Sequence, residues 1–337
     1  MIIRVSDPTH AGEARRQAAV FAENANLGER ERGSLAIVVT EMATNLVKHA
    51  GTGTIVVEAV TGNGSSGVRV LALDKGPGIR DLSGALRDGY SSAGTPGNGL
   101  GAMKRLSSTF DIYTAPGLGT AVLSEFWPQK KMQPDLCPID VGVLSVPIKG
   151  ETVCGDGWGA KKAADTMLFM VVDGLGHGIL ASEAAREAER VFSKPHTVSP
   201  TPILQDSHDA LRKTRGAAMA VASLHFENRV LSFAGVGNID STIVRSAGRR
   251  GMASHNGIIG HQLHKIQEFN FPWDDDSILI MHTDGLKSNW DLASYPGIWN
   301  KPPGLIAGML YRDFSRERDD VTVLVAKNRA EMDVECN

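Results

Sequence analysis

Four aspartates in this chain of 337 residues stand beside glycine or at the end of an apolar run. Asp156 lies in CGDGW, and Asp173 closes MLFMVVD before GLGHG. Asp284 closes ILIMHTD before GL, and Asp319 opens DDVTVLVA. Carboxylates at strand ends can converge on one edge of a sheet sandwich, where they repel unless cations neutralise them. Asp-Gly also marks ordinary turns, and each instance alone reads that way. Four of them, all beside buried-looking strands, read as a hard-metal site. Oxygen-only ligation points to magnesium or manganese rather than zinc. His177 in GLGHG is either a further ligand or a solvated, hydrogen-bonding histidine.

A second set of chemistry-bearing residues precedes these. Leu35–Ala50, LAIVVTEMATNLVKHA, reads as a helix with Leu35, Val39, Met42 and Leu46 on its core stripe. Glu41, Asn45, Lys48 and His49 fall on the neighbouring stripe, as a solvated face or as the edge of a site. The apolar run LALD then ends on Asp74 and breaks into Gly76-Pro-Gly78. A carboxylate at a strand end with glycines beside it suits the exocyclic amine of adenine, and equally an ordinary turn. In GTPGNGLGAMKRLSS, Gly97, Gly99 and Gly101 open a helix, so bare N–H groups and the helix dipole offer a phosphate site. These glycines do not follow a strand in a βαβ unit and lack Gly-Lys-Ser/Thr, so neither a Rossmann motif nor a P-loop fits.

The elements that must hold these residues fall into two groups. Before residue 127 the pattern predicts a strand at 2–5, helices over about 10–27 and 31–50, and strands at 54–60 and 68–74. A short helix after Gly99 and strands at 110–114 and 120–126 follow. WPQKKMQPDLCPI, 127–139, reads as a linker. Beyond it, strands at 141–146, 166–173, 217–226, 229–236, 277–283 and 321–326 alternate with helices near 179–192 and 304–313. Length alone suggests roughly two domains. A formal net charge of −3 argues against general affinity for nucleic acid or an anionic membrane surface. Three widely spaced cysteines exclude a disulfide framework and fit a reducing compartment. No apolar run is long enough to span a bilayer or serve as a signal peptide, so a cytoplasmic location is expected.

TEMATNLVKHAG, DKGPGI and GNGLG, in that order, resemble the N box, adenine box and lid box of the GHKL ATPases. Their wording is most like the RsbT/RsbW anti-sigma kinase branch, and Gly117-Leu-Gly-Thr120 is similar to that family's last element. The resemblance covers nearly all of 1–126. It implies that Asn45 ligates magnesium, that Asp74 reads the adenine of ATP, and that Gly97, Gly99 and Gly101 wrap its phosphates. Gly76, Gly78, Leu100 and Thr120 fall in the same nucleotide-binding boxes, and Glu41 would orient or deprotonate an attacking hydroxyl. Lys48 and His49 receive no role.

VVDGLGHG, RGAAMAVASL, FAGVGN, HTDGL and RDDVTVLV, in order across about 140–327, resemble the PPM serine/threonine phosphatases of the SpoIIE/RsbX/RsbU branch. This implies that Asp173 bridges two metals, with the Gly174 carbonyl on one of them. Asp156 would join one metal, and Asp284 and Asp319 the other, a water between them attacking phosphorus in line. Asp320 stands where many relatives have Asn, and CGDGW departs from their commoner Gly-Gly-Asp wording. The expected fold is α+β: a GHKL (Bergerat) α/β sandwich at 1–126, a linker at 127–139, and a PPM α/β/β/α layered domain at 140–330. The expected function is a bacterial switch protein that binds ATP, phosphorylates a STAS-domain regulator and dephosphorylates its phosphoserine or phosphothreonine in a sigma-factor or stress pathway. The alternative is an ATP-binding docking module without kinase activity, fused to an active phosphatase. A homodimer stays open.

Overall fold

The computed structural model describes residues 1–62, 64–87, 99–128, 137–194 and 198–329. Gly97 and residues 129–136 of the predicted linker lie outside these. The chain forms two compact units: Met1–Leu136 with Ala293–Arg312, and Cys137–Leu292 with the chain from Asp313 onward.

The first unit is built on five antiparallel strands, β1 (Ile2–Val5), β2 (Gly53–Gly62), β3 (Ser65–Asp74), β4 (Thr109–Thr114) and β5 (Thr120–Phe126), in the order β1-β2-β3-β5-β4. Helices α1 (His10–Asn24) and α2 (Glu29–Asn45) cover one face. Ala14, Ala18 and Ala22 recur every fourth residue, so α1 presents a shallow ridge that lies close to the sheet. Leu35, Val39, Met42 and Leu46, the expected stripe, are buried with Val38 and Ala43 against Ile55, Val57, Val70 and Val122. Two short helices, α3 (Leu82–Ala85) and α4 (Gly99–Leu106), complete this side.

The second unit stacks two antiparallel sheets. One contains β6 (Ile139–Val146) at its edge; the other begins with β7 (Asp156–Ala163) and β8 (Thr166–Gly174). Helices α5 (Ile179–Ser193) and α6 (Pro200–Ala210) follow. The remaining strands are β9 (Ala217–His225), β10 (Val230–Val236), β11 (Asp240–Arg245), β12 (Gly248–Met252), β13 (Phe269–Pro272), β14 (Ile278–His282) and β15 (Val321–Asn328). The sheet orders are β13-β10-β9-β8-β7 and β12-β11-β14-β15-β6. Phe169, Val171, Ala220, Phe233, Leu279, Met281 and Leu324 fill the space between the sheets. The alternate residues Leu168, Met170 and Val172 pack outward on Ala184, Ala188 and Phe192 of α5 and Ile203 and Leu204 of α6. Because β8 is covered on both faces, its sequence is a continuous apolar run rather than an alternating one.

Helix α7 (Pro303–Phe314) starts in the first unit. Its Gly304 and Gly308, four residues apart, lie against Arg69 and against Leu71 and Leu73 of β3. These odd-numbered β3 residues lie opposite Val68, Val70 and Ala72, which face α1 and α2. The sheet of the first unit is therefore covered on both faces. Lys301 Nζ bonds Asp111 at 2.8 Å, and Arg312 Nη1 donates to the Asp74 carbonyl at 2.8 Å.

Candidate functional site

In the first unit, α2 carries Glu41 and Asn45 one turn apart, both half-buried beside the core stripe. Thr40 and Thr44 donate their hydroxyls to carbonyls one turn back, at 2.7 and 2.8 Å, so the helix runs through two residues that could otherwise compete with it. After Asn45 the helix widens into a π-turn over Leu46–Ala50, ending at Gly51 with φ 74°. Lys48 and His49 are exposed there. Gly99 opens α4 against this surface: a Cβ on it would lie 3.3 Å from Glu41 Oε2 and 3.7 Å from Asn45 Nδ2. Glu41, Asn45 and Gly99 thus lie side by side at the start of α4. Leu100 packs on the core from α4, and Gly101 is buried.

Asp74 ends β3. Its Oδ1 accepts the N–H of Gly76 at 2.8 Å and of Thr120 at 3.1 Å. Among the described residues no hydrogen bond reaches Oδ2, which is the atom left for an amine. Burial pushes this carboxyl above its usual range, against those two N–H groups and the charges of Arg312 and His49. Gly78 has φ 73°, and a Cβ there would meet the Ala115 carbonyl at 2.1 Å; Gly119, at φ 72°, would meet the Asp74 carbonyl at 2.1 Å. Only glycine fits these turns. Thr114, which the motifs do not single out, ties them together: its hydroxyl accepts the Ile79 N–H at 2.8 Å and lies 3.1 Å from that of Thr120.

In the second unit, Asp156 and Asp173 are register partners across β7 and β8. Asp284 follows β14, and Asp319 and Asp320 precede β15 in the facing sheet. Asp156 is buried, and its Oδ2 accepts the Thr283 hydroxyl at 2.8 Å. Thr283 in turn accepts the Thr322 N–H at 2.9 Å, which locks β14 to β15. Asn238 donates to Asp284 Oδ2 at 2.7 Å. Burial, then the charges of Asp284, Asp319 and Asp320, push Asp173 up to about 7. Asp156 is raised by burial and then by Asp173, and Asp284 by burial and then by Asp319.

Asp319 and Asp320 divide the work at one edge. Asp319 is exposed, whereas Asp320 is buried and accepts the N–H groups of Ile148 at 2.7 Å and Gly155 at 2.9 Å. Asp320 therefore holds the loop that delivers Asp156. Gly174 is packed too tightly for a side chain, since a Cβ would meet the Ala181 carbonyl at 2.2 Å. His177 Nδ1 pairs with Glu151 Oε1 at 2.8 Å, the hydrogen-bonding role rather than a ligand's.

Among the described residues no three His, Cys, Asp or Glu side chains are already drawn into a closed metal cage. The carboxylates nevertheless raise one another, and none of the four is ion-paired with Lys or Arg among the described residues. The donor set is all oxygen, and its mutual repulsion is the property that divalent cations would relieve, so magnesium or manganese fits. Thr283, Asn238 and Thr114 are the supporting residues that the sequence reasoning left unassigned; Thr283 and Asn238 sit inside the quoted HTDGL and FAGVGN motifs.

Two protein families match the two halves of the chain. Residues 5–124 match the histidine kinase-like ATPase domain family, and residues 163–329 match the stage II sporulation protein E (SpoIIE) family. The serine/threonine-protein kinase RsbT of Bacillus subtilis (strain 168) is 32% identical over 114 residues, 34% of this chain and 86% of RsbT. The phosphoserine phosphatase RsbX of the same organism is 25% identical over 139 residues, 41% of this chain and 70% of RsbX. A solved chain described under "The bacterial stressosome: a modular system that has been adapted to control secondary messenger signaling" superposes with a TM-score of 0.51 at 27% identity. It covers 56% of this chain and 99% of its own length. The chain belongs, in its N-terminal part, to the histidine kinase-like (GHKL) ATPase family with RsbT and, in its C-terminal part, to the SpoIIE family of PPM-type phosphatases. It is a regulatory kinase-like domain fused to a PPM-type serine phosphatase. Among the described residues no helix is long and apolar enough to cross a membrane.

Proposed function

We propose that the protein is a two-activity switch acting on a STAS-domain regulator of a sigma-factor or stress pathway. The second domain removes phosphate from a serine or threonine of that partner, and the first binds ATP and returns it. The observation that carries the reading is the pairing, in one chain, of two separate sites of opposite chemistry. One is the strand-end carboxylate of Asp74, with Glu41, Asn45 and Gly99 gathered at the start of α4. The other is an uncompensated all-oxygen cluster around Asp173. We place the sequence domains at 1–126 and 140–330, with residues 293–312 of the second contributed to the first compact unit, the protein in the cytoplasm, and ATP with magnesium or manganese as cofactors.

In the phosphatase site, Asp156, Asp173, the Gly174 carbonyl, Asp284 and Asp319 would hold magnesium or manganese. Such cations supply charge neutralisation at phosphorus and water acidic enough to act at neutral pH. The protein's own contribution is orientation: Thr283 fixes Asp156, Asn238 fixes Asp284, and Asp320 fixes the Ile148–Gly155 loop. In the nucleotide site, Asp74 Oδ2 would accept from adenine, Asn45 would hold magnesium, and the N–H groups of Gly97, Gly99 and Gly101 would face phosphate. Glu41 would accept the proton of the attacking serine hydroxyl.

Glu41 separates the kinase from the docking module. Positioned general bases contribute ~10²–10⁴-fold. Glu41→Gln keeps shape and hydrogen bonding but loses basicity. With a purified STAS-domain protein, ATP and manganese, followed by intact mass, this variant is expected to bind ATP as wild type does and to phosphorylate at least about 100-fold more slowly. Transfer at the wild-type rate would remove Glu41 from the chemistry. A wild-type protein that binds ATP yet never modifies its partner would establish the docking module instead.

A further inference from the structure

The turn from β8 into α5 leaves apolar surface in water. Leu175 is 38% exposed, Ile179 69% and Leu180 47%. These are three of the six large apolar side chains that are exposed among the described residues, and they fall within six consecutive positions. Single exposed leucines need no explanation, but a cluster of them does. The rest of α5 obeys the expected pattern, burying Ala181, Ala184, Ala185, Ala188, Val191 and Phe192. The exposed trio is therefore a local exception.

Beside the trio lies an open groove of about 510 Å³, lined by Ile179, Leu180, His177, Glu151 and Arg215. It adjoins the carboxylate cluster. Gly174 pairs in register with Ala217, and the Leu175 N–H donates to the Gly216 carbonyl at 3.0 Å, so Arg215 sits at the same sheet edge as Asp173. Its guanidinium lies across Gly176, 3.0 Å from where a Cβ would be. Gly176 has φ 89°, so the backbone favours glycine here. Among the described residues Arg215 makes no ion pair or hydrogen bond, and it faces the groove. The His177–Glu151 pair forms another part of the lining, where Gly178 passes within 3.0 Å of the Glu151 carboxylate for any added Cβ.

We propose that this groove docks the phosphorylated segment of the substrate protein, with Arg215 taking a phosphate oxygen and Ile179 and Leu180 taking apolar side chains that flank the phosphoserine. The inference rests on the phosphatase reading given above and adds the substrate class: a phosphoserine segment with apolar neighbours, not an acidic or basic one. Charge complementarity commits the groove to this occupant. A guanidinium without an ion pair among the described residues, whose planar donors match a phosphate, stands beside a metal-type cluster, while Glu151 is already paired with His177 and Ile179 and Leu180 supply the apolar lining. Arg215 acts here as a binding and specificity residue; the carboxylate cluster does the chemistry.

The test uses the full chain with manganese and three probes: p-nitrophenyl phosphate, a phosphoserine peptide flanked by leucine and isoleucine, and one flanked by glycine and serine. The wild type is expected to prefer the apolar-flanked peptide over the glycine-flanked one by about tenfold or more in kcat/KM. Ile179→Ser with Leu180→Ser, both at exposed positions, is expected to erase about tenfold of that preference through KM. Arg215→Ala is expected to weaken competitive inhibition by inorganic phosphate about tenfold, with Arg215→Lys recovering part of it. For the double serine variant, equal losses on all three probes, or no loss of peptide preference, would overturn the proposal, as would unchanged phosphate inhibition in Arg215→Ala. Loss of self-association with unchanged peptide preference would also overturn it, assigning the patch to a second copy of the chain. If the wild type fails to hydrolyse p-nitrophenyl phosphate, the phosphatase reading is what falls. The groove is then judged by anisotropy of the fluorescein-labelled peptides, where the double serine variant must lose about tenfold in affinity.

Discussion

Asp173 and Asp156 face each other across two paired strands with Asp284, Asp319 and Asp320 close enough to raise their affinity for protons. A cluster of this kind costs stability while it is charged and empty, because the carboxylates repel in a partly buried setting. Removing one charge should therefore harm function while sparing the fold. Asp173→Asn is expected to abolish manganese-dependent hydrolysis of p-nitrophenyl phosphate, by more than about 100-fold, since even outer-shell changes at metal sites cost 10–100-fold. In the absence of metal, the variant's thermal midpoint should equal or exceed that of wild type, by at most a few degrees, because about 1 kcal/mol moves the midpoint roughly 2–4 °C at this size. Manganese should raise the midpoint of wild type and leave that of the variant nearly unmoved. Calorimetry with and without manganese checks this. A variant that unfolds well below the metal-free wild type would make Asp173 a structural residue instead.

At the scale of elements, the packing of α7 on β3 has a specific weak point. Arg69, buried in the sheet, bonds Glu125 at 2.8 Å and Glu58 at 3.2 Å, and a Cβ on Gly304 would lie 2.9 Å from its guanidinium carbon. Burial already holds the Glu58 carboxyl above its usual range, against the pull of Arg69. Gly304→Leu would push the guanidinium off both partners and leave buried charge uncompensated, a loss of about 3–5 kcal/mol. A marked drop in the thermal midpoint is the expected calorimetric result for Gly304→Leu, with little change for Gly33→Ser, where nothing lies within 4 Å of an added Cβ and φ is not positive. An unchanged midpoint for Gly304→Leu would show that α7 yields without disturbing the Arg69 cluster. Elements such as β5 and β8 were legible because apolar runs bounded by turn residues leave little choice. The strand β7, DGWGAKKA, was not. Its Gly157 and Gly159 are there because Glu189 and Phe192 of α5 fill the space a side chain would take, at 2.7 and 2.5 Å. Its lysines suit an edge strand rather than a core one. Helix α6 was missed because its polar residues mask the burial of Ile203 and Leu204. The Asp ligand candidates and the nucleotide boxes were legible from their glycines. Thr283, Asn238 and Thr114 were not, since a hydroxyl or amide gains its role only from the strand that faces it.

For the whole molecule, the consequence is that the N-terminal unit does not end where its family resemblance ends. Ala293–Arg312 come from within the SpoIIE-matching region, yet they belong to the first compact unit. They cover the sheet face that carries Leu71 and Leu73, and Tyr295 meets Tyr113 edge to face at 6.1 Å between ring centres. No local pattern could reveal this, because the partners lie more than 180 residues apart, and it also places Arg312 on the Asp74 carbonyl, beside the carboxylate proposed to read adenine. An isolated fragment of residues 1–136 should therefore expose Leu71, Leu73 and Tyr113 together. Each buried side chain of this size is worth about 1.5–3 kcal/mol relative to exposure, which is a large share of a small domain's net stability of about 5–15 kcal/mol. The fragment is expected to self-associate through that face and to melt several degrees below the corresponding transition of the full chain, and its affinity for ATP should fall. Light scattering after size exclusion, calorimetry and nucleotide titration read the three effects separately. A monomeric fragment that keeps the full chain's melting behaviour and ATP affinity would show that α7 rests on the sheet without stabilising it.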